Sequence, residues 1–271
     1  MLMIRTKCSR LLTLLTLICA LTLSATTEAQ QWQQKQRFPS QGRDHPVGFG
    51  INDTGYAMVG MVETVAGITF LDDFYRYLPS EDKWESLQNF PGAARGFSIG
   101  VAHQGKGYIG FGAKINRAAG EVEPLDDLWE YNPANDKWRQ LPDCPGEPRR
   151  HPAMEAVNGK IYVGLGDGNS GNLKDWWVLD LETEEWSQIP DMPGAPRHHP
   201  YHFSLNGKIY AGMGHGPRFA PGANASGVMD DWYVYSPEDS TWTELQDFPG
   251  QARVAGTQFA HGEYGYILSG D

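Results

Sequence analysis

Cysteine is scarce: the 271 residues hold three, and two of these, Cys8 and Cys19, lie near the N-terminus, which leaves Cys144 alone in the rest of the chain. A disulfide framework is excluded, so packing and strand pairing must hold the fold. Basic residues are outnumbered, 22 Lys+Arg against 33 Asp+Glu, for a formal net charge of −11. Nucleic-acid binding, which rests on neutralising phosphates, is not expected of such a chain. Beyond Leu23 there is no apolar run that could span a bilayer, so membrane insertion is not expected there. What is plentiful is glycine (32), proline (18) and tryptophan (9). That composition suits many short strands joined by turns.

The one long apolar run, Leu11 to Leu23, follows Arg5, Lys7 and Arg10. It precedes Thr27-Glu28-Ala29, which offers small residues at the two positions a signal peptidase reads. The run is shorter than the ~20 residues of a membrane span. It is therefore read as an export signal, residues 1–29, cut after Ala29, and the protein is expected to be secreted or periplasmic. Cys19 lacks the small preceding residue of a lipoprotein site. The segment carries three basic residues and one acidic residue, so cleavage takes the net charge from −11 to −13.

A self-similar unit of about 50 residues fills the remainder. Trp32, Trp84, Trp138, Trp186 and Trp242 each open the same phrase. An apolar residue and proline follow at fixed spacing: Phe38-Pro39, Phe90-Pro91, Cys144-Pro145, Met192-Pro193 and Phe248-Pro249. Then comes an arginine: Arg43, Arg95, Arg149, Arg197 and Arg253. Tyr/Gly pairs recur at 56/60, 108/112, 162/166, 210/214 and 266/270. Asp73, Asp127, Asp175 and Asp231 each lead into an aromatic run. Within the third unit four short strands are predicted, over 152–157, 160–165, 175–181 and 185–189. Asn158-Gly159 and Asn206-Gly207 signal tight hairpins, because both residue types tolerate positive φ. A four-stranded sheet cannot bury both faces alone. Sheets stacked around an axis can, with the recurring indoles and tyrosines wedged between them.

These phrases, Tyr-x-Gly-x-Gly, Asp-aromatic-aromatic-x-Tyr-x-Pro and Trp-x5-Phe-Pro-Gly-x-x-Arg, resemble the Kelch family, in particular its exported bacterial members and the propeller of galactose oxidase. The resemblance implies an all-β propeller of four-stranded antiparallel blades over residues 30–271. Complete blades are expected at 44–95, 96–149, 150–197 and 198–253. Residues 30–43, with a strand over 31–37, and 254–271 would be the closing strand and the start of a split blade. The chain is read as a fragment of a six- or seven-bladed ring, the alternative being a five-bladed ring with a defective closing blade. One feature departs from the family pattern. The usual signature has two adjacent glycines after the Tyr, and the first is replaced here by Val59, Phe111, Leu165, Met213 or Ser269.

Function is expected on the face that carries the variable second-to-third loops (61–71, 113–125, 167–173 and 215–229), since long loops on a rigid scaffold carry binding. The connections between units add Arg43, His45, Arg149, Arg150, His151, Arg197, His198 and His199 there, with His215 in the last loop. Such a ring suits a carboxylate, sulfate or sugar acid. Kelch domains that bind peptides use arginines at these places, as the resemblance implies. For the repeated arginines, bonding to the backbone of the neighbouring blade competes with that reading. No cofactor is implied and no metal site is expected: His198, His199 and His202 are close only in sequence. The copper chemistry of galactose oxidase needs a Cys–Tyr crosslink, and Cys144 sits where other units have Phe or Met. The first reading is a binding scaffold for a protein, peptide, glycan or other anionic ligand. The alternative is a sugar-modifying enzyme resembling the periplasmic sialic acid mutarotases, with His151 and His199 as acid/base groups, Arg149 and Arg197 as the clamp, and Glu155 nearby.

Overall fold

The structure, a computed structural model, describes residues 33–65, 67–116 and 120–271. The export-signal reading and Trp32 lie outside them. Gln36–Asp271 forms one compact unit. Its described residues are all strand, turn and coil.

Four sheets of four antiparallel strands follow one another, and a two-stranded sheet comes last. In each, the strands lie side by side in chain order. The third sheet is typical: Ala153–Val157, Lys160–Gly164, Trp176–Asp180 and Trp186–Ile189. Each predicted strand there is recovered to within a residue or two. Asn158 and Gly159 take φ of 51° and 75°, and Asn206 and Gly207 repeat this at 51° and 74°. These are the left-handed values that a tight hairpin requires. The first strands of successive sheets, Val47–Ile51, Ile99–His103, Ala153–Val157, Tyr201–Leu205 and Thr257–His261, contact one another in sequence and form the inner wall.

The core lies between sheets. Leu165, Trp176 and Met192 of the third pack on Ile209, Ala211, Tyr233 and Tyr235 of the fourth. Tyr56, Met58 and Phe74 of the first meet Ile109 and Tyr131 of the second. Cys144 is buried in the cluster joining the second and third, and burial pushes its thiol up to about 11. The repeated indoles bridge the same boundaries. Trp186 Nε1 donates to Pro142 O at 2.9 Å and Trp242 Nε1 to Pro190 O at 2.9 Å, each reaching back to the preceding unit.

The strand expected over 31–37 is not formed in its described part. Among the described residues no strand offers it a ladder partner. Gln36 instead receives Trp84 Nε1 on its carbonyl at 3.2 Å, as Pro142 and Pro190 receive Trp186 and Trp242. Gln36 thus stands where the carbonyl of a preceding unit would stand. The second-to-third loops also differ from simple coil. Three are β-ribbons, Met61–Thr64 with Gly67–Phe70, Ala113–Asn116 with Glu121–Pro124, and Asp167–Gly168 with Gly171–Asn172.

The departure from the double-glycine pattern has a physical account. Val59, Phe111, Leu165, Met213 and Ser269 all adopt left-handed backbone, φ 49° to 60°. That conformation costs a side-chain-bearing residue roughly 1–2 kcal/mol. The first four are fully buried, and burying such a side chain contributes about 1.5–3 kcal/mol. The apolar residue therefore holds its place against the strain.

Candidate functional site

Each connection between units runs from the repeated arginine into the next inner strand. Its middle residue pairs with the start of the loop beyond the Tyr/Gly phrase, as Asp44 with Met61, Gly96 with Ala113, Arg150 with Asp167 and His198 with His215. These pairings fix the connection so that the following residue is held at one repeated place. That residue is His45, Phe97, His151, His199 or Ala255, with φ of 52°, 62°, 49°, 49° and 58°.

The structure separates the candidate residues into three groups. Four of the five repeated arginines are turned into the boundaries between units. Arg95, Arg149 and Arg197 are fully buried, and each forms a two-pronged ion pair with the Asp that opens the third strand of the next unit. Arg149 lies 2.9 Å from both oxygens of Asp175, and also donates to Leu165 O at 3.1 Å and Glu147 O at 2.9 Å. Arg43 makes the same pair with Asp73. Burial opposes ionisation of Asp175, but Arg149 overcomes it and holds the carboxyl below its ordinary range. The arginine clamp expected from the sequence is thus a latch between blades. The two charges fork into each other because the guanidinium matches a carboxylate bidentately.

Arg150, His198 and His215 form an outer group tied to the second-to-third loops. Arg150 pairs with Asp167, His198 Nδ1 meets Asn172 Oδ1 at 2.7 Å, and His215 Nε2 meets Ser226 O at 3.0 Å.

His45, His151 and His199 come together from three different units. His151 and His199 stack with ring centroids 3.5 Å apart, and His45 lies 5.0 and 5.7 Å from them. Phe97 packs on His45 and His151 at 4.7 Å. Burial depresses all three imidazoles, and for His151 and His199 the neighbouring histidines add to it. His199 is pushed down to about 3. The trio is therefore neutral near pH 7, not the cationic ring the sequence suggested. It borders a cavity of about 420 Å³ that also meets Ser98, Tyr201, His202 and Gln258.

An adjoining cavity of about 510 Å³ is lined by all five inner strands. In it Glu155 Oε1 and His202 Nδ1 are 2.6 Å apart, and Gln258 Nε2 lies 3.4 Å from His202 Nε2. Glu155 accepting from Nδ1–H leaves Nε2 as a lone-pair acceptor. The sequence reading named Glu155 and His202 separately but not as a pair, and did not name Gln258. The available signal was polar side chains on inner strands whose equivalent positions are Gly48, Gly100 and Met154, or Phe49, Val101, Phe203 and Phe259. Among the described residues neither cavity is lined by Lys or Arg. A groove of about 950 Å³ between the third and fourth units is rimmed by Glu147, Asp175, Asp191, Asp231 and Glu244 and lies apart from these groups.

Comparison with known proteins agrees with this architecture. N-acetylneuraminate epimerase of Haemophilus influenzae (strain PittEE) is 27% identical over 180 residues, 53% of this chain and 48% of its own. That of Pasteurella multocida (strain Pm70) is 30% identical over 176 residues, covering 53% and 46%. Kelch repeat and BTB domain-containing protein 1 of Cowpox virus (strain Brighton Red) is 33% identical over 120 residues, covering 43% and 21%. The alignments with the two epimerases span about half the length of those relatives. The solved structure of YjhT superposes with a TM-score of 0.75 at 15% identity, covering 91% of this chain and 82% of that one, a likeness of fold. The family model for the KLHDC2/KLHL20/DRC7 Kelch-repeats domain matches residues 118–270, more than half of the chain. With that match over the units whose Trp, Arg and Asp residues build the blade boundaries, the chain belongs to the Kelch-repeat family.

Proposed function

We propose that this propeller is an exported binding scaffold whose ligand is a sugar seated in the axial cavities. The observation that carries the proposal is the polar trio Glu155–His202–Gln258 on an otherwise apolar and small-residue inner wall. A chain of hydrogen-bonding groups in a walled cavity is what a polyhydroxylated ligand needs for orientation. The names of the epimerase relatives favour the same class. Arg43, Arg95, Arg149 and Arg197 are held in ion pairs, and among the described residues neither axial cavity is lined by Lys or Arg. A neutral sugar suits the opening better than a sugar acid.

The Glu155–His202 pair favours a second reading, a mutarotase-like activity. Opening a cyclic hemiacetal requires loss of the anomeric hydroxyl proton while the ring oxygen gains one and the ring C–O bond breaks. His202 Nε2, with Glu155 supporting the resulting imidazolium through Nδ1–H, has the properties of the base, and general acid–base help of this kind typically contributes ~10²–10⁴-fold.

Calorimetric titration with N-acetylmannosamine and N-acetylneuraminate tests the binding reading. Saturable binding, tighter for the neutral sugar and weakened in His202→Ala, is expected. Absence of saturable binding to either sugar overturns it. Anomer exchange followed by NMR tests the second reading: acceleration by the wild type that His202→Ala abolishes supports catalysis, and an unchanged exchange rate leaves binding alone.

A further inference from the structure

The residue two past the repeated arginine occupies the same left-handed place in every unit, and in three units it is histidine. His45, His151 and His199 each offer a ring nitrogen such that the three lie within 4.8 Å of one another. The Nε2 atoms of His45 and His199 are 3.5 Å apart. Two ligands on a tetrahedral ion at ~2.0–2.1 Å are separated by about 3.3 Å. Apolar packing alone would not require nitrogens here, as Phe97 shows by filling the equivalent place in the second unit. Yet His45 Nδ1 and both nitrogens of His151 are buried without a hydrogen-bond partner, and a buried unsatisfied group of this kind costs about 1–3 kcal/mol.

We propose that His45, His151 and His199 bind a divalent transition-metal ion at the axial opening, one ring nitrogen from each. A cation would accept a lone pair from His151 that otherwise meets nothing. It would also take the two facing Nε2 lone pairs of His45 and His199, which can share one proton between them only if one ring donates. Three neutral imidazoles suit zinc, nickel or copper(II) rather than calcium or magnesium, which prefer oxygen. Asp44 borders the same cavity, and its negative charge acts on His45. Three protein ligands leave a coordination position open, and the cavity lies beside the trio to supply it with water or a ligand atom. The site draws one ligand from each of three blades, so the ion would also tie those blades together.

The test uses the full chain, free of any histidine tag and stripped with chelator. It is titrated with cobalt(II) as a visible-absorption probe and with zinc(II) by calorimetry, with no sugar present, so its failure is separate from failure of the sugar reading. One equivalent of cobalt with ligand-field absorption, displaced by zinc, is expected. His151→Ala should weaken binding by more than the ~10–100-fold that loss of an outer-shell partner costs. His45→Phe, which places the residue found at position 97, provides a second variant whose fold is checked by its melting curve. His198→Ala and His215→Ala should keep the full equivalent. No stoichiometric binding by the folded wild type overturns the proposal. So does binding that survives in both His151→Ala and His45→Phe, or that is lost only in the His198 and His215 variants.

Discussion

Replacing Arg149 by methionine should lower stability far more than the same change at Arg253, although the two occupy the same place in the repeat. Arg149 is fully buried and makes four hydrogen bonds, two of them to the Asp175 carboxylate of the next unit. Arg253 bonds only backbone oxygens, those of Gln251 and Ser269, and has no carboxylate within ion-pair distance among the described residues. Breaking a buried ion pair by removing one partner costs about 3–5 kcal/mol, because the other charge is left uncompensated. Asp175 keeps 24% of its side chain exposed and retains Trp177 Nε1 at 2.7 Å. Arg149→Met therefore belongs at the lower end, about 3 kcal/mol, or a fall in Tm of roughly 6–12 °C for a unit of this size. Asp175→Leu leaves a fully buried guanidinium unneutralised and belongs at the upper end. The double variant should recover part of the loss, since neither charge is then stranded. Tryptophan fluorescence through urea and thermal unfolding measures all four. Equal losses in Arg149→Met and Arg253→Met, or strict additivity in the double variant, would refute the latch.

Acid should destabilise the fold well above the carboxylate range. His199 is pushed from 6.5 to about 3, so the unfolded chain takes up a proton first, and stability present above pH 6.5 is lost as pH falls toward 3. At pH 5 this amounts to about 2 kcal/mol from that residue, and a Tm that is flat from pH 7 to 5 contradicts it. Below that range Asp73 and Asp175, whose carboxyls are held down by Arg43 and Arg149 against the opposing effect of burial, add a second loss as they protonate. Trp186→Phe removes the bond to Pro142 O and should cost about 1 kcal/mol more than Trp138→Phe, whose Nε1 is buried without a partner. Chemical denaturation of the pair decides this, and a larger loss at Trp138 rules it out.

The blades were legible because their causes are local and repeated. Asn158-Gly159 dictates a hairpin by itself, and Trp186 and Trp242 recur at a spacing that places them at equivalent boundaries. The latch was half legible: Arg149 and Asp175 were each recognised as repeating, but their pairing joins one unit's end to the next unit's third strand, a contact that no local pattern displays. The axial groups were the least legible. Glu155 and His202 lie 47 positions apart on neighbouring inner strands and meet only when the sheets are stacked side by side.

That difference bears on where chemistry can arise in such a fold. A position that latches the blade boundary through an ion pair keeps its residue, as Arg43, Arg95, Arg149 and Arg197 do, because each of those four boundaries presents the same carboxylate and the same carbonyl. A position that points to the axis meets its counterparts from other units, not a fixed neighbour, so its residue is free to differ: His45, Phe97, His151, His199 and Ala255 share one backbone conformation and no common side-chain role. Exchanging the two kinds of position should therefore have opposite consequences. Ala255→His should be tolerated, with a change in Tm within about ±0.5 kcal/mol equivalent, as for a substitution away from the core, whereas Arg197→His should unlatch Asp231 at a cost of about 3–5 kcal/mol. If Ala255→His destabilises as severely as Arg197→His, the axial positions are as constrained as the boundaries, and the division between a uniform scaffold and a variable axis does not hold.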